Sequence, residues 1–386
     1  SWYNRTFIDG VGKLKKKIGL VVGTRPEAIK MAPVYLTLRK FFEVDFIATG
    51  QHREMFYQGL SPFGIKPTVD LMIMEESQSL ESVLSKSVTG LSSLFKERKY
   101  DLVLVHGDTT TTLGGALASF YNKIPCGHVE AGLRTGDLSY PYPEEANRLL
   151  TDDLCTVLYP PTQLSWENLE REGLGNREHL ITGNTVIDAL MIMQNKWGIE
   201  ATNKENLVVV TAHRRENWGL PLEEICHAVK DLALEFADYK FVFPVHLNPA
   251  VRKTVFGILQ DVDNVQLTDP MEYDEFLRLL SKAKVALSDS GGIQEEGPHF
   301  GVPVVLLRHV TERPEGIPRK IVFLAGPDAE KIKEYFHFVV QNRWWEYVMS
   351  QSNPYGDGKA SERIASHLAY RFGLSDVVFS RFEEVF

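Results

Sequence analysis

IGLVVGTRPEAIKMAPVYLTLRKFFEVDFIATG, residues 18–50, decides the fold. Its ends, IGLVV (18–22) and VDFIA (44–48), are short, β-branched apolar runs. Runs without polar alternation suit strands of a parallel sheet, which are buried on both faces. Between them, PEAIKMAPVYLTLRKFF places apolar residues at i, i+3, i+4 and i+7, the spacing of one buried helix face. A strand, a helix and a second strand in this order make a right-handed crossover unit, so the reading is α/β.

The rhythm continues along the chain. LVLVH (102–106), CGHVE (126–130), CTVLY (155–159) and a short LIT at Leu180 follow in the first half. LVVVT (207–211), FVFPV (241–245), VQL (265–267), VALSD (285–289), VPVVLL (302–307) and IVFLA (321–325) follow in the second. LEEICHAVKDLALEF repeats the helical spacing. The rhythm pauses at the polar NKWGIEATNKEN (195–206), which reads as a linker. Two parallel-sheet domains are therefore expected over 1–195 and 196–358, with 1–17 an arm or extension and 359–386 a closing helix and tail.

A chain of 386 residues is comfortable for two cores. With 44% apolar and 24% charged residues it has an ordinary globular composition. A net charge of −9 provides no global basic field for nucleic acid, although one pocket can still hold a nucleotide. Cys126, Cys155 and Cys226 are odd in number and form no C-x-x-C pair. Neither a disulfide framework nor a cysteine zinc site is expected, which points to a reducing, cytoplasmic setting. No apolar run approaches the roughly 18–20 residues of a membrane span. KLKKKIGLVVG puts basic residues before an apolar run, but the run is short for a signal peptide and GTRPE follows it.

In open parallel sheets, ligands bind beyond the carboxyl ends of the strands. The residues after the expected strands are rich in His, Arg, Asp, Glu, Ser and Gly. SDSGGIQEE (288–296) follows a strand and opens a helix. Ser290, Gly291 and Gly292 can bring backbone N–H groups to an anion, and Glu296 can accept from a ribose. A tight turn with an N-cap serine fits the same residues. GTRPEAIK sets Arg25 and Lys30 around another turn, and TERPE offers Arg313; each suits a phosphate or a solvated surface. His213 ends a strand beside Arg214 and Arg215, and His106, His128 and His246 occupy similar places. No H-E-x-x-H and no His/Cys quartet occurs, so no zinc site and no other metal ligand set is read; magnesium, whose ligands need no local spacing, stays open. Asp108 fits an N-cap, and Glu144 with Glu145 fits a helix first turn. Glu130 resists such an account, because a buried strand end is a costly place for an unpaired carboxylate. Several carboxylates without metal spacing point to proton transfer.

GTRPEAIKMAPV, TGQHRE, VHGDTTTT, HVEAGLRTGDL, PEEANR, TGNTVIDAL, TAHRREN, PVHLNP, TDPMEY, SDSGGIQEE, TERPEG and NPYGDGKAS occur in that order. From about residue 18 to residue 373 the chain resembles the bacterial non-hydrolysing UDP-N-acetylglucosamine 2-epimerases. The resemblance implies a GT-B-like fold: two Rossmann-like domains, parallel sheets facing across a central cleft, and a C-terminal helix crossing back to the first domain. It implies interconversion of UDP-N-acetylglucosamine and UDP-N-acetylmannosamine through elimination of UDP to 2-acetamidoglucal and re-addition. It calls for no cofactor, and implies a homodimer and supply of surface polysaccharides. Asp108, Glu130, Glu144 and His213 become catalytic candidates. Asp108 and Glu130 would act at C2, Glu144 on proton traffic or the cationic transition state, and His213 on the leaving diphosphate. Arg25, Lys30, Ser290, Gly291, Gly292, Glu296 and Arg313 would hold UDP, with Phe276 against the uracil and His246 at the nucleotide. Gln51 and Arg214 fall at a second, activating nucleotide-sugar site. Glu54 and Ser77 depart from the family pattern at that site, and His309, before TERPE, departs from it in the loop beside the UDP. A hydrolysing epimerase, a GT-B glycosyltransferase and an idle UDP-sugar sensor are the competing readings.

Overall fold

The computed structural model describes residues 15–50, 53–200 and 203–384. The chain forms two compact units. The first runs to Ile192 and is taken up again from Tyr355; the second spans Met193–Pro354.

Among the described residues the first unit holds a seven-stranded sheet of β1 (Lys17–Val22), β2 (Glu43–Ala48), β3 (Val69–Asp70), β4 (Leu102–His106), β5 (Cys126–Val129), β6 (Val157–Tyr159) and β7 (Glu178–His179). Its order is β3-β2-β1-β4-β5-β6-β7, and every neighbouring pair is parallel. The second unit holds β8 (Leu207–Thr211), β9 (Lys240–Pro244), β10 (Val265–Thr268), β11 (Val285–Ser288), β12 (Val304–Leu306) and β13 (Val322–Leu324). The order is β10-β9-β8-β11-β12-β13, again all parallel. Both units are therefore doubly wound and Rossmann-like, as the apolar runs imply.

The apolar runs became strands because both of their faces are covered. In the first unit Val21, Ile47, Val103, Val105 and Leu158 pack with Leu91, Leu94 and Phe95. In the second, Val208, Val210, Phe241, Phe243 and Leu287 pack with Ile225, Val229, Leu232 and Phe336. One strand goes unread and one strand reading shifts. β3 is two residues long, too short to leave a periodic trace. LIT (180–182) lies beyond β7: Leu180 donates to Leu158 O at 3.2 Å and Thr182 to Pro160 O at 3.0 Å. Pro160 and Pro161 carry no N–H to complete that ladder.

The helix Ala360–Arg371 belongs to the first unit. Asp188 accepts from its first backbone N–H groups, Ala360 at 3.2 Å and Ser361 at 2.8 Å. Tyr159 Oη meets His367 Nδ1 at 2.8 Å. Among the described residues no helix is long and apolar enough to cross a membrane.

In each sheet the strand order reverses once, between β1 and β4 and between β8 and β11. The carboxyl ends beside that reversal are where doubly wound sheets bind ligands.

Candidate active site

The first unit brings Asp108 and Glu130 to the ends of neighbouring strands. Glu130 follows β5 with a φ of +70°, a left-handed conformation costly for a residue with a Cβ. It is buried. Its Oε2 accepts from Lys30 Nζ at 2.8 Å and from Asn184 Nδ2 at 2.9 Å. His106 Nε2, at the end of β4, stands 3.4 Å from the same oxygen. Asp108 is reached through Gly107, whose φ is +76°. Asp108 Oδ2 accepts from Arg148 Nη2 at 2.7 Å, and its side chain remains 26% exposed.

PEEANR divides its labour. Glu144 opens the helix Glu144–Leu154 and is half-buried. Glu145 is buried: its Oε1 accepts from Arg148 Nη1 at 3.0 Å, and its Oε2 from the backbone N–H of Thr135 at 2.9 Å and Gly136 at 2.8 Å. Asn147 Nδ2 donates to Asp108 O at 3.0 Å. A single helix thus secures both the RTG loop and the Asp108 loop. His128 is fully buried below them, its Nδ1 2.5 Å from Asp152 Oδ1 and its Nε2 2.7 Å from Gly107 O. Burial pushes the Asp152 carboxyl up, but His128 and Arg134 outweigh it and hold it below the usual carboxylate range. His128 is a support of the Asp108 turn, with no exposed surface to offer a substrate.

At the β1 turn, Glu27 is buried and satisfied from two directions. Its Oε2 accepts the N–H groups of Gly23 at 2.7 Å and Thr24 at 2.8 Å. Its Oε1 accepts the hydroxyls of Thr109 and Thr112, joining the β1 turn to the β4 turn at the reversal of the sheet. Arg25 is half-buried beside this turn and has no acidic partner among the described residues.

In the second unit the ends of β8 and β11 carry His213 and the Ser290-Gly291-Gly292 turn. Fully buried Asp289 joins them, accepting from the backbone N–H of His213 and Arg214, each at 3.0 Å, and from Asn217 Nδ2 at 3.0 Å. The His213 side chain is 48% exposed, with Nδ1 3.5 Å from Asp289 Oδ1. The two glycines answer crowding: a Cβ on Gly291 would meet Arg313 Nη1 at 2.8 Å, and one on Gly292 would meet Glu296 Oε1 at 2.8 Å. Arg313 is buried and held by Glu295, at 2.8 Å, and by Glu312. Glu312 also takes Arg308 Nη2 at 2.8 Å.

Phe276 is half-buried on the helix Tyr273–Lys282. His246 is exposed, accepts Asn248 N–H on Nδ1 at 3.1 Å, and lies 6.2 Å from Trp218 between ring centres. Gln51 lies outside the described residues. Arg214 Nε is engaged by Glu216 at 3.1 Å. Glu54 is exposed on the helix Arg53–Leu60, Ser77 adopts a φ of +56°, and His309 is exposed against Gly326. Among the described residues no group of three or more His, Cys, Asp or Glu could hold a metal ion.

Sequence reasoning missed Glu27, Arg148, Asn184 and Asp289 as members of these networks. Thr24-x-x-Glu27 carries a capping-box spacing that marks a helix start. No local signal marks the other three, whose partners lie 40, 54 and 76 residues away.

The model of the UDP-N-acetylglucosamine 2-epimerase family matches residues 35–369. The chain is 47% identical over 370 residues to UDP-N-acetylglucosamine 2-epimerase of Escherichia coli, covering 91% of this chain and 98% of that protein. It is similar to the crystal structure of the Neisseria meningitidis UDP-GlcNAc 2-epimerase bound to UDP-GlcNAc, with a TM-score of 0.84, 44% identity, and 92% of this chain and 100% of that one covered. It is also similar to the Methanocaldococcus jannaschii UDP-GlcNAc 2-epimerase in complex with UDP-GlcNAc and UDP, with a TM-score of 0.78, 31% identity, and coverage of 92% and 99%.

Proposed function

The chain belongs to the UDP-N-acetylglucosamine 2-epimerase family, a family of isomerases, and from that premise we propose how its residues carry the reaction. The substrate pair is UDP-N-acetylglucosamine and UDP-N-acetylmannosamine, interconverted without hydrolysis. The proton on C2 of the sugar has no adjacent carbonyl to make it acidic. Its removal is therefore coupled to breaking the C1–O bond. The C–H electron pair forms the C1=C2 double bond of 2-acetamidoglucal, and UDP leaves with the C1–O pair. The return delivers a proton to the opposite face of C2 and the UDP oxygen to C1. No electron transfer and no water enters the balance.

One observation carries this reading: Asp108 and Glu130 end neighbouring strands, and each is engaged by a buried cation, Arg148 and Lys30. That is an arrangement for two proton-transfer groups on one sugar carbon. We assign Asp108 and Glu130 to C2, Glu144 to proton traffic or the cationic transition state, and His213 to the leaving diphosphate. Ser290, Gly291, Gly292, Glu296, Arg313 and Arg25 receive UDP, with Phe276 on the uracil and His246 at the nucleotide. The ammonium of Lys30 bonds Glu130, so its part in holding the diphosphate is shared with holding that carboxylate. Fixed N–H groups and cations of this kind stabilise charge developing on a leaving group. The product would serve surface polysaccharide synthesis in the cytoplasm, from a homodimer.

Proton NMR of UDP-N-acetylglucosamine with the protein in D2O tests the reading. Deuterium at C2 with accumulating UDP-N-acetylmannosamine is expected. Free N-acetylmannosamine would show hydrolysis instead. Intact, unlabelled substrate, with UDP binding confirmed, would overturn the epimerase mechanism for this chain.

A further inference from the structure

Glu130 Oε2 is met from three sequence-distant places. Lys30 comes from the helix Arg25–Leu38, His106 from the end of β4, and Asn184 from the residue before the helix Thr185–Trp197. Their distances to that oxygen are 2.8 Å, 3.4 Å and 2.9 Å. Lys30 contributes charge, but on a long, rotatable stem. Both ring nitrogens of His106 are buried without a hydrogen-bond partner. Asn184 is held at every polar group. Its backbone N–H donates to Tyr355 O at 2.8 Å, and its Oδ1 accepts the N–H of Val186 at 2.9 Å. That second bond settles the orientation of the amide: the branch facing Glu130 is the nitrogen, a donor.

We propose that Asn184 is a positioning residue for Glu130, aiming a fixed N–H at the carboxylate oxygen that Lys30 also holds. The proposal rests on the reading of Glu130 as a group acting at C2. The side chain does two jobs with two different atoms. Oδ1 caps the helix, as Asn, Asp and Ser all do well. Nδ2 donates to a carboxylate, which Asp cannot do while ionised and which Ser, one atom shorter, does not reach from the capping position. A donor to the ionised form of a buried acid favours that form, and a hydrogen bond to a charged group is among the stronger ones. With the Lys30 ammonium it gives the Oε2 atom of Glu130 two donors from different elements.

The consequence separates capping from donation. Asn184→Asp and Asn184→Ser keep a capping oxygen and lose the donor. If the residue were only a cap, both variants would epimerise at the wild-type rate. Under the proposal, kcat falls about tenfold to a hundredfold in both, and KM stays within about threefold. The acid limb of the pH profile of kcat/KM also moves upward by about one pH unit, further for Asp, whose charge repels Glu130. Lys30 and His106 face the same oxygen and are unchanged in both variants. Melting temperature and calorimetric UDP binding establish that each variant is folded, and Asn184→Ser decides alone if Asn184→Asp does not fold. Glu130→Gln tests the premise: a Gln variant with near wild-type activity would remove the reading of Glu130 itself. An inactive Gln variant, with Asn184→Ser at wild-type kcat or with an unmoved acid limb, would overturn the role of Asn184 alone.

Discussion

Asp289 Oδ2 accepts the backbone N–H of His213 at 3.0 Å, across 76 residues of sequence. The carboxylate is fully buried at the end of β11, whereas the imidazole it supports, after β8, is half exposed. Position and chemistry are thereby assigned to different residues. The buried one sets where the loop runs, and the exposed one is available to a ligand.

This division is measurable. Asp289→Asn turns one acceptor into a donor facing N–H groups, at a cost of about 1–3 kcal/mol. Both the melting temperature and the epimerisation rate should fall. His213→Asn should lower the rate with little change in melting, since the side chain is half exposed and leaves Asp289 its other partners. Equal melting losses in the two variants would contradict the division.

The adjacent pair Glu144 and Glu145 should respond in opposite ways. Glu145→Gln points an amide nitrogen at donors on one side or the other, and should cost about 2–4 kcal/mol in a denaturant titration. Glu144→Gln should leave stability near wild type and reduce kcat about a hundredfold, the usual scale for a lost acid/base group. A stable, slow Glu145→Gln protein would reverse the assignment.

His299 gives the second unit an acid-sensitive component. Burial pulls its pKa down to about 4, and its Nε2 lies 3.0 Å from Gln194 Oε1. Between its unfolded value of about 6.5 and that folded value, the unfolded chain binds the proton and the folded one does not. Stability is therefore lost as the pH falls through this window, by about 3 kcal/mol at most. Asp188 in the first unit has the opposite sign. Burial, opposed by the N–H groups of Ser361 and Ala360, lifts it to about 6, so its contribution is present at low pH and is lost as the pH rises through that value. The two windows overlap with opposite signs, so urea midpoints at about pH 5 and about pH 7 read the net effect in the wild type and the separate components in single variants. His299→Gln should narrow the loss on acidification, and Asp188→Asn should remove the opposing component.

Gly291→Ala tests the turn after β11. The new methyl would press on Arg313 Nη1 at 2.8 Å and on Glu312 Oε1 at 3.3 Å. The guanidinium must give way, so UDP affinity by calorimetry should fall about tenfold with the fold retained. Unchanged affinity would place the diphosphate away from this turn.

Local pattern determined a large part of this protein. Runs such as IGLVV and LVVVT became the central strands β1 and β8, because a doubly buried strand must be apolar along its whole length. The turns proposed to carry the chemistry were legible for a related reason: the chain changes abruptly from apolar to charged where it leaves a buried strand. The two-residue β3 escaped, and LIT, expected as a strand, lies just beyond β7 beside Pro160 and Pro161.

Tertiary structure alone decided which charge meets which. Lys30 reaches Glu130 across 100 residues, Arg148 reaches Asp108 across 40, and Asn184 reaches Glu130 across 54. Hydrophobic periodicity is written within one element and can be read there. An ion pair or a directed hydrogen bond depends on two side chains converging from different elements to within about 3 Å. Parallel crossovers bring distant segments to adjacent strand ends, so the sequence by itself names the charged residues at those ends, and the packed sheet settles which cation or donor each carboxylate meets.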